Sequence, residues 1–388
     1  MRRRLHRVTI VGGLFLAQAA CGNGQQPSSL QAIAAVTNEG GATAATPDGA
    51  AMDATIVVLG VDGAIDGPPG GACEAGSCGG ATVLADGQHR PGPIAVDGSN
   101  LYWANQGTMA GPGGKAGQWF VNGEIKVCPV AGCSGDQVTL AGEFMGITLG
   151  TGPFGLAVGT SKVFWTTANS VDGGILACPV GGCDAGASLL TSDHGGGIAV
   201  SNSRLYWTNY SAGTVETCAT SGCGARPMTV ASDQLGPNGI AADDQNVYWV
   251  ASGGLWACAT GGCPSGPSAL WTSQSAAGVA ITVDSNNLYW TNGNGAVMEC
   301  AKARCAATAV TIATEHSGPG GVAVDASTVY WTDGSSVYKC AIGGCGNRPS
   351  LVSSVAHHAY AVAVDDRNVY WTDYGSGDDD GRVFAQQK

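Results

Sequence analysis

Residues 321–333 read GVAVDASTVYWTD, and residues 361–373 read AVAVDDRNVYWTD. Each stretch is an apolar run, a short polar turn and a second apolar run ending in an aromatic pair, the pattern of two strands joined by a tight turn. Five looser copies precede them: PIAVDGSNLYWAN (93–105), GLAVGTSKVFWTT (155–167), GIAVSNSRLYWTN (197–209), GIAADDQNVYWVA (239–251) and GVAITVDSNNLYWTN (278–292). Their tryptophans, from Trp103 to Trp371, are spaced by 62, 42, 42, 41, 41 and 40 residues. After each of the first six copies come a strand-like stretch ending in a cysteine, a second cysteine five residues on, and another apolar stretch.

Each unit therefore holds four short strands, here a to d, with the aromatic pair on b. Four strands per repeat of roughly 40 residues is the signature of a β-propeller. The expected fold is all-β, with seven four-stranded blades. Closure follows from two incomplete units. The chain ends in a strand c (381–386) with no strand d, and residues 81–85 form a strand d with no blade before them. Pairing the N-terminal strand with the C-terminal one closes the ring and removes both open sheet edges.

These repeats resemble the YWTD repeats of low-density-lipoprotein-receptor-type propellers and of bacterial exported proteins that share them. The full tetrapeptide stands at Tyr330 to Asp333 and Tyr370 to Asp373; copies 206–209 and 289–292 end in asparagine, and Phe164 and Val250 depart further. The resemblance covers residues 73–388 and implies a fold, not a ligand. The receptor family has six blades, whereas seven aromatic strands are counted here.

Fourteen of the fifteen cysteines fall into seven pairs of one spacing: Cys73 with Cys78, Cys128 with Cys133, Cys178 with Cys183, Cys218 with Cys223, Cys258 with Cys263, Cys300 with Cys305, and Cys340 with Cys345. Facing positions on a hairpin lie about 5.5 Å apart, which suits a disulfide. Zinc would need closer cysteine spacing or a neighbouring histidine. Seven local disulfides are expected, each contributing about 2 kcal/mol in the chain-entropy account. Cys21 is left over. It follows an arginine-rich start and a short apolar run, and Ala19-Ala20-Cys21-Gly22 resembles a bacterial lipobox, with Gln18 where that family has leucine. The expected division is an export signal over 1–21 with lipidation at Cys21, a flexible low-complexity tether over 22–72, and the propeller over 73–388. Ordinary signal cleavage after Ala19 is the alternative.

The formal charge is −12, and losing the leader's four arginines makes it −16. Such a surface repels phosphate backbones, which argues against nucleic acid and leaves the lipid anchor as the membrane contact. The expected location is the outer membrane or cell surface, otherwise the periplasm or medium. The expected partner is an extracellular ligand, protein or glycan, bound by a monomer.

In propellers the b–c and d–a connections share one face. Five histidines fall in d–a connections: His89, His194, His316, His357 and His358. The b–c connection of the first blade is expanded and carries Trp119 and Phe120, and Glu315 adjoins His316. These eight residues are the candidate ligand-binding set, with the histidines expected to be spread around the ring. The recurrent aspartates Asp97, Asp243, Asp284, Asp325 and Asp365 read as turn residues bonding backbone amides. Asp378, Asp379 and Asp380 read as a solvated run, or a loose calcium site. No cofactor is expected, although a divalent metal could be held at the histidines.

Two functions compete. One is a surface-displayed binding module without catalysis. The other is an enzyme, a lyase or metal-dependent hydrolase, at the histidine-bearing face. The strand motif is broadly similar to that of the virginiamycin B lyase type, which implies histidine, glutamate and magnesium; the spacing of its catalytic residues is not found here, so no residue is carried over.

Overall fold

Adjacent residues of a strand point to opposite sides of a sheet, so a Tyr-Trp pair on strand b sends one ring into each of two neighbouring interfaces. A computed structural model shows the result over residues 77–78, 80–110, 119–133, 137–142, 153–167, 174–183, 186–224, 226–314, 316, 318–355 and 357–388. It is a seven-bladed propeller of four-stranded antiparallel blades. Tyr102 packs with Trp165 of the next blade, Phe164 with Trp207, Tyr206 with Trp249, Tyr248 with Trp290, Tyr289 with Trp331 and Tyr330 with Trp371. Tyr370 completes the circuit against Trp103. All seven tryptophans are buried. The hydrophobic core is thus seven similar wedges, one at each blade junction.

Blade 1 consists of Pro91–Val96, Asn100–Asn105, Glu124–Pro129 and Val138–Ala141. Blade 2 is Pro153–Val158, Lys162–Thr167, Gly174–Pro179 and Ser188–Thr191. Blade 3 is Ile198–Ser201, Arg204–Asn209, Thr214–Ala219 and Met228–Ala231. Blades 4 and 5 are joined: after Ile240–Ala242, Asn246–Ala259 runs through b and c, and Ser268–Val283 supplies d of blade 4 and a of blade 5. Asn287–Asn292, Val297–Ala301 and Val310–Ala313 complete blade 5. Blade 6 is Pro319–Val324, Thr328–Asp333, Ser336–Ala341 and Ser350–Ser354.

Blade 7 closes the ring as the two partial units require. Ala359–Val364, Asn368–Asp373 and Gly381–Gln387 supply a, b and c, and Ala81–Gln88 supplies d. The closing register pairs Thr82 with Ala385, Val83 with Phe384, Ala85 with Val383 and Gln88 with Gly381. Ser77–Cys78 adds a short fifth strand outside d.

The recurrent aspartate does two things. Asp97 Oδ1 accepts the amides of Ser99 and Asn100, at 2.9 and 2.8 Å, and its Oδ2 accepts the Tyr102 hydroxyl at 2.9 Å. Asp243, Asp284, Asp325 and Asp365 repeat this with Tyr248, Tyr289, Tyr330 and Tyr370. Burial, then the aspartate beside it, pushes the Tyr102 hydroxyl up to about 12. Blade 2 has Gly159 in place of the aspartate and Phe164 in place of the tyrosine, so both partners of the bond are missing together.

The threonine after Trp ties neighbouring blades. Thr372 Oγ1 accepts the Ala361 amide of its own blade at 3.2 Å and donates to Gly92 O of blade 1 at 2.8 Å. Thr166, Thr208, Thr291 and Thr332 make the same double contact in blades 2, 3, 5 and 6. Ala104 and Val250 interrupt this belt at blades 1 and 4. Thr372→Val should leave two buried backbone groups unpaired and cost about 1–3 kcal/mol. Thermal unfolding checks this, and Ala104→Ser should cost far less because no bond is lost.

Six of the seven expected disulfides join described cysteines, each within its own blade. Cys128 bonds to Cys133 in blade 1 and Cys178 to Cys183 in blade 2, with Cα–Cα distances of 5.3 and 5.5 Å. Cys218 bonds to Cys223 in blade 3 at 4.8 Å, and Cys258 to Cys263 in blade 4 at 5.5 Å. Cys300 bonds to Cys305 in blade 5 at 4.8 Å, and Cys340 to Cys345 in blade 6 at 5.6 Å. The first cysteine of each pair is buried on strand c. Blade 5 departs from the expected hairpin loop: Lys302–Arg304 form a 3₁₀ turn, and Cys305 opens a single helical turn, Cys305–Thr308. Cys73, and with it the seventh bridge to Cys78, lies outside the described residues, as do Cys21, the leader and the tether. So many bridges point to an oxidising compartment. Among the described residues no helix is long and apolar enough to cross a membrane.

Candidate ligand-binding face

The ring has a front face, formed by the b–c and d–a connections, and a back face, formed by the a–b turns and cysteine hairpins. On the front face strand b ends in the last letter of its motif, close to the connection that enters strand a. In blade 6 that letter is Asp333. Its Oδ2 lies 2.6 Å from His316 Nδ1, and its Oδ1 accepts the Gly318 amide at 2.9 Å. Both side chains of the pair are more than nine-tenths buried, at 8% and 9% exposure. His316 also meets the rings of Trp331 and Tyr338 edge-on, at 5.5 and 5.2 Å, which fixes its orientation.

In blade 7 the letter is Asp373, which is fully buried. Its Oδ1 accepts the His358 amide at 2.8 Å and the Gly375 amide at 3.3 Å. Its Oδ2 has no hydrogen bond and faces His357 Nδ1 at 3.4 Å. The other nitrogen of that imidazole, Nε2, faces Asp380 Oδ2 at 3.6 Å. Burial would raise Asp380, but the Ser376 hydroxyl, the Gly377 and Ser376 amides and nearby His357 together hold it down to about 2. Between blades 7 and 1, His89 Nδ1 lies 2.8 Å from Asp379 Oδ1, and Arg90 pairs with Asp378 at 3.2 Å. Arg90 also covers the Tyr374 ring, which stacks on Tyr360 and donates its hydroxyl to Gln106.

His89, His316, His357 and His358 thus occupy three consecutive connections, 5–6, 6–7 and 7–1, and only His194 is set apart. His89, His316 and His357 each face their own carboxylates, and ring closure brings His89 beside Asp379 and Asp378, the latter 289 residues further on. Burial holds His358 below the usual histidine range, against the opposing pull of Asp373 and then Asp333.

His358 therefore stays neutral in the fold while an unfolded histidine takes up a proton below about pH 6.5. Its contribution to stability is present above that value and is lost as pH falls from it towards the lower folded pKa. His358→Gln should flatten part of the acid limb of stability below about pH 6.5, measured by denaturant midpoints. An unchanged limb would show that burial there does not set the proton affinity.

No family model and no curated protein matches the sequence. Solved structures do match. A catalytically inactive virginiamycin B lyase from Staphylococcus aureus with quinupristin aligns with a TM-score of 0.58 at 11% identity, covering 79% of this chain and 98% of that one. A computationally designed protein, Ika8, gives 0.52 at 14% identity over 78% and 98%. A nidogen/laminin complex gives 0.49 at 16% identity over 62% and 94%. The likeness is one of fold. As many as 1119 solved chains match, so the likeness selects no function on its own.

The remaining candidates are placed only in part. Residues Thr108–Ala110 and Trp119–Val121 pair as a hairpin that extends the b–c connection of blade 1 on the front face. Glu315 lies outside the described residues. Among the described residues no three histidine, cysteine or acidic side chains are grouped to hold a metal ion. The two nitrogens of His357 illustrate why: they address carboxylates on opposite sides of the ring. Asp333, Arg90 and Tyr374 are site residues that sequence reasoning did not single out.

A groove of about 910 Å³ lies on the back face between blades 4 and 5, lined by Asp243, Tyr248, Leu270, Asp284 and Lys302 among others. Its polar groups are already engaged with one another: Asp243 accepts two amides, the Tyr248 hydroxyl and Lys302 Nζ at 2.8 Å. Lys302 comes from blade 5 and Asp243 from blade 4, so this contact staples two blades.

Proposed function

We propose that the protein is an exported binding module that takes its ligand on the front face, over blades 6, 7 and 1. The observation that supports this most is the set of histidine–aspartate pairs on three consecutive connections. Most positions of the repeat serve the ring, as the Asp–Tyr and threonine contacts do. The histidines serve no repeat contact and differ from blade to blade, as a recognition surface requires.

Export fits the leader and the disulfides. Lipidation of Cys21 would leave the module on a membrane-held tether. Cys21→Ser should then release the mature chain from membranes or leave the precursor uncleaved; a soluble wild-type chain beginning at Ala20 would exclude the anchor.

The test of binding is a screen of extracellular glycans and proteins against the full mature chain, with and without divalent metals. A ligand retained by the wild type and lost by His316→Ala and His357→Ala is the expected result. A ligand indifferent to both would remove the assignment. One observation favours catalysis at the same face: the His316–Asp333 pair has the arrangement in which a buried carboxylate orients an imidazole for proton transfer. Turnover of any captured ligand, lost in Asp333→Asn, would establish that second reading.

A further inference from the structure

We infer that the front face receives a lysine- or arginine-rich segment of a partner protein. This rests on the binding-module reading and narrows it to one class of ligand.

Charge is divided unevenly between the two faces. Among the described residues, the front connections and adjoining strand ends carry nine carboxylates and two arginines, and one of the nine, Glu124, is paired with Lys126 of its own strand. Both arginines are already paired within the ring, Arg90 with Asp378 and Arg382 with Asp86. The back face carries seven carboxylates and eight lysines or arginines. There the charges compensate, and two lysines reach across to a neighbouring blade: Lys302 to Asp243, and Lys388 to Asp325. Among the described residues the acidic excess therefore belongs to the front, where a cation approaching the channel mouth meets a negative field.

Two further features point to a ligand rather than to a solvated acidic surface. Asp373 is buried completely, and its Oδ2 and the His357 Nδ1 facing it at 3.4 Å both lack a hydrogen bond. The innermost carboxylate of the cluster is thus held by a loose ion pair, which a further positive group nearby can supplement. Across the channel mouth, at blades 3 and 4, Tyr210 and Leu235 stand exposed on this same face, at 58% and 74%. They are neighbours, because Gly236 lies against the Tyr210 ring. An acidic arc on one side of the mouth and an apolar pair on the other suit a polypeptide with basic and apolar side chains better than a free cation, which would use the first and ignore the second.

The experiment uses the full mature chain and fluorescein-labelled decalysine, with decaglutamine and decaglutamate as controls, read by fluorescence anisotropy. Decalysine should bind, more weakly as salt rises, and carbodiimide should crosslink it to the front aspartates. Asp378→Asn with Asp379→Asn should weaken binding roughly tenfold, on the scale of two exposed ion pairs. Asp244→Asn with Asp366→Asn on the back face should leave it unchanged. An unshifted melting temperature certifies that each variant is folded. A peptide alternating lysine and leucine should bind more tightly than decalysine and lose that advantage in Leu235→Ala. Equal weakening by the two double variants, or crosslinks confined to the back face, would overturn the inference. So would a ligand from the screen that is neutral or acidic and depends on His316 and His357; the binding-module reading would then survive. Loss of both requires that no ligand of any class depends on those histidines.

Discussion

Removing residues 73–86 is expected to lower the melting temperature by about 10 °C, the equivalent of roughly 5 kcal/mol in a ring of this size. The deleted stretch holds most of Ala81–Gln88, the strand that completes blade 7. Its loss uncovers the outer side of Gly381–Gln387 and breaks the ladder that pairs Thr82, Val83 and Ala85 with Ala385, Phe384 and Val383. Ala81 and Ala85 leave the interior, and the Trp371–Phe384 stack at 5.4 Å loses cover. Uncovered apolar area costs about 25 cal/mol per Å², and each ladder bond adds about 1 kcal/mol. Deleting residues 22–60 should leave the melting temperature unchanged. Equal melting of the two deletions would contradict the closure.

The second large effect is expected at Asp373. Asp373→Ala leaves the buried amides of His358 and Gly375 without their acceptor and removes the charge facing His357. Breaking such a buried set costs roughly 3 kcal/mol, about 5 °C or more in melting temperature. Asp373→Asn should cost about 1 kcal/mol or less, because asparagine occupies the same place in other blades. Asn209 Oδ1, for example, accepts the Ala212 amide at 2.9 Å. Both variants should weaken ligand capture on the front face. The alanine variant tests the structural role, and the asparagine variant isolates the charge. An asparagine variant as unstable as the alanine one would show that the negative charge itself holds blade 7 together.

The architecture was legible because a propeller repeats its requirements. Seven Tyr/Phe-Trp pairs meant seven junctions, and two fragments that complemented each other meant one closure. Even the coupled change at Gly159 and Phe164 could be read in the sequence, although its meaning needed the Asp97–Tyr102 bond. The site was legible only by type. The histidines were visible, and their connections named their face. Their pairing with Asp333 and Asp373 was not visible, because those two aspartates are also letters of the repeat. A signal of position did exist: blades 1, 3, 6 and 7 each have a histidine 15 to 17 residues before the last motif letter, and in blades 6 and 7 that letter is aspartate. The pairing of His89 with Asp379 had no local signal, since it depends on the two ends of the chain meeting.

Those ends also determine how the ring bears tension. The first described residues, Ser77–Cys78, and the last, Lys388, both lie at the back, on the side away from the histidines. In a chain held at its N-terminal end and pulled by a partner seated in front, the load enters at Ala81 and runs along Ala81–Gln88 towards His89. Those eight residues are then drawn lengthwise past Gly381–Gln387. Bonds that lie across the direction of pull must yield together rather than one after another, so a strand loaded in shear resists more force than one peeled from its end. The seam that closes the ring is therefore loaded in its stronger direction whenever the N-terminal end is held and the front face is pulled.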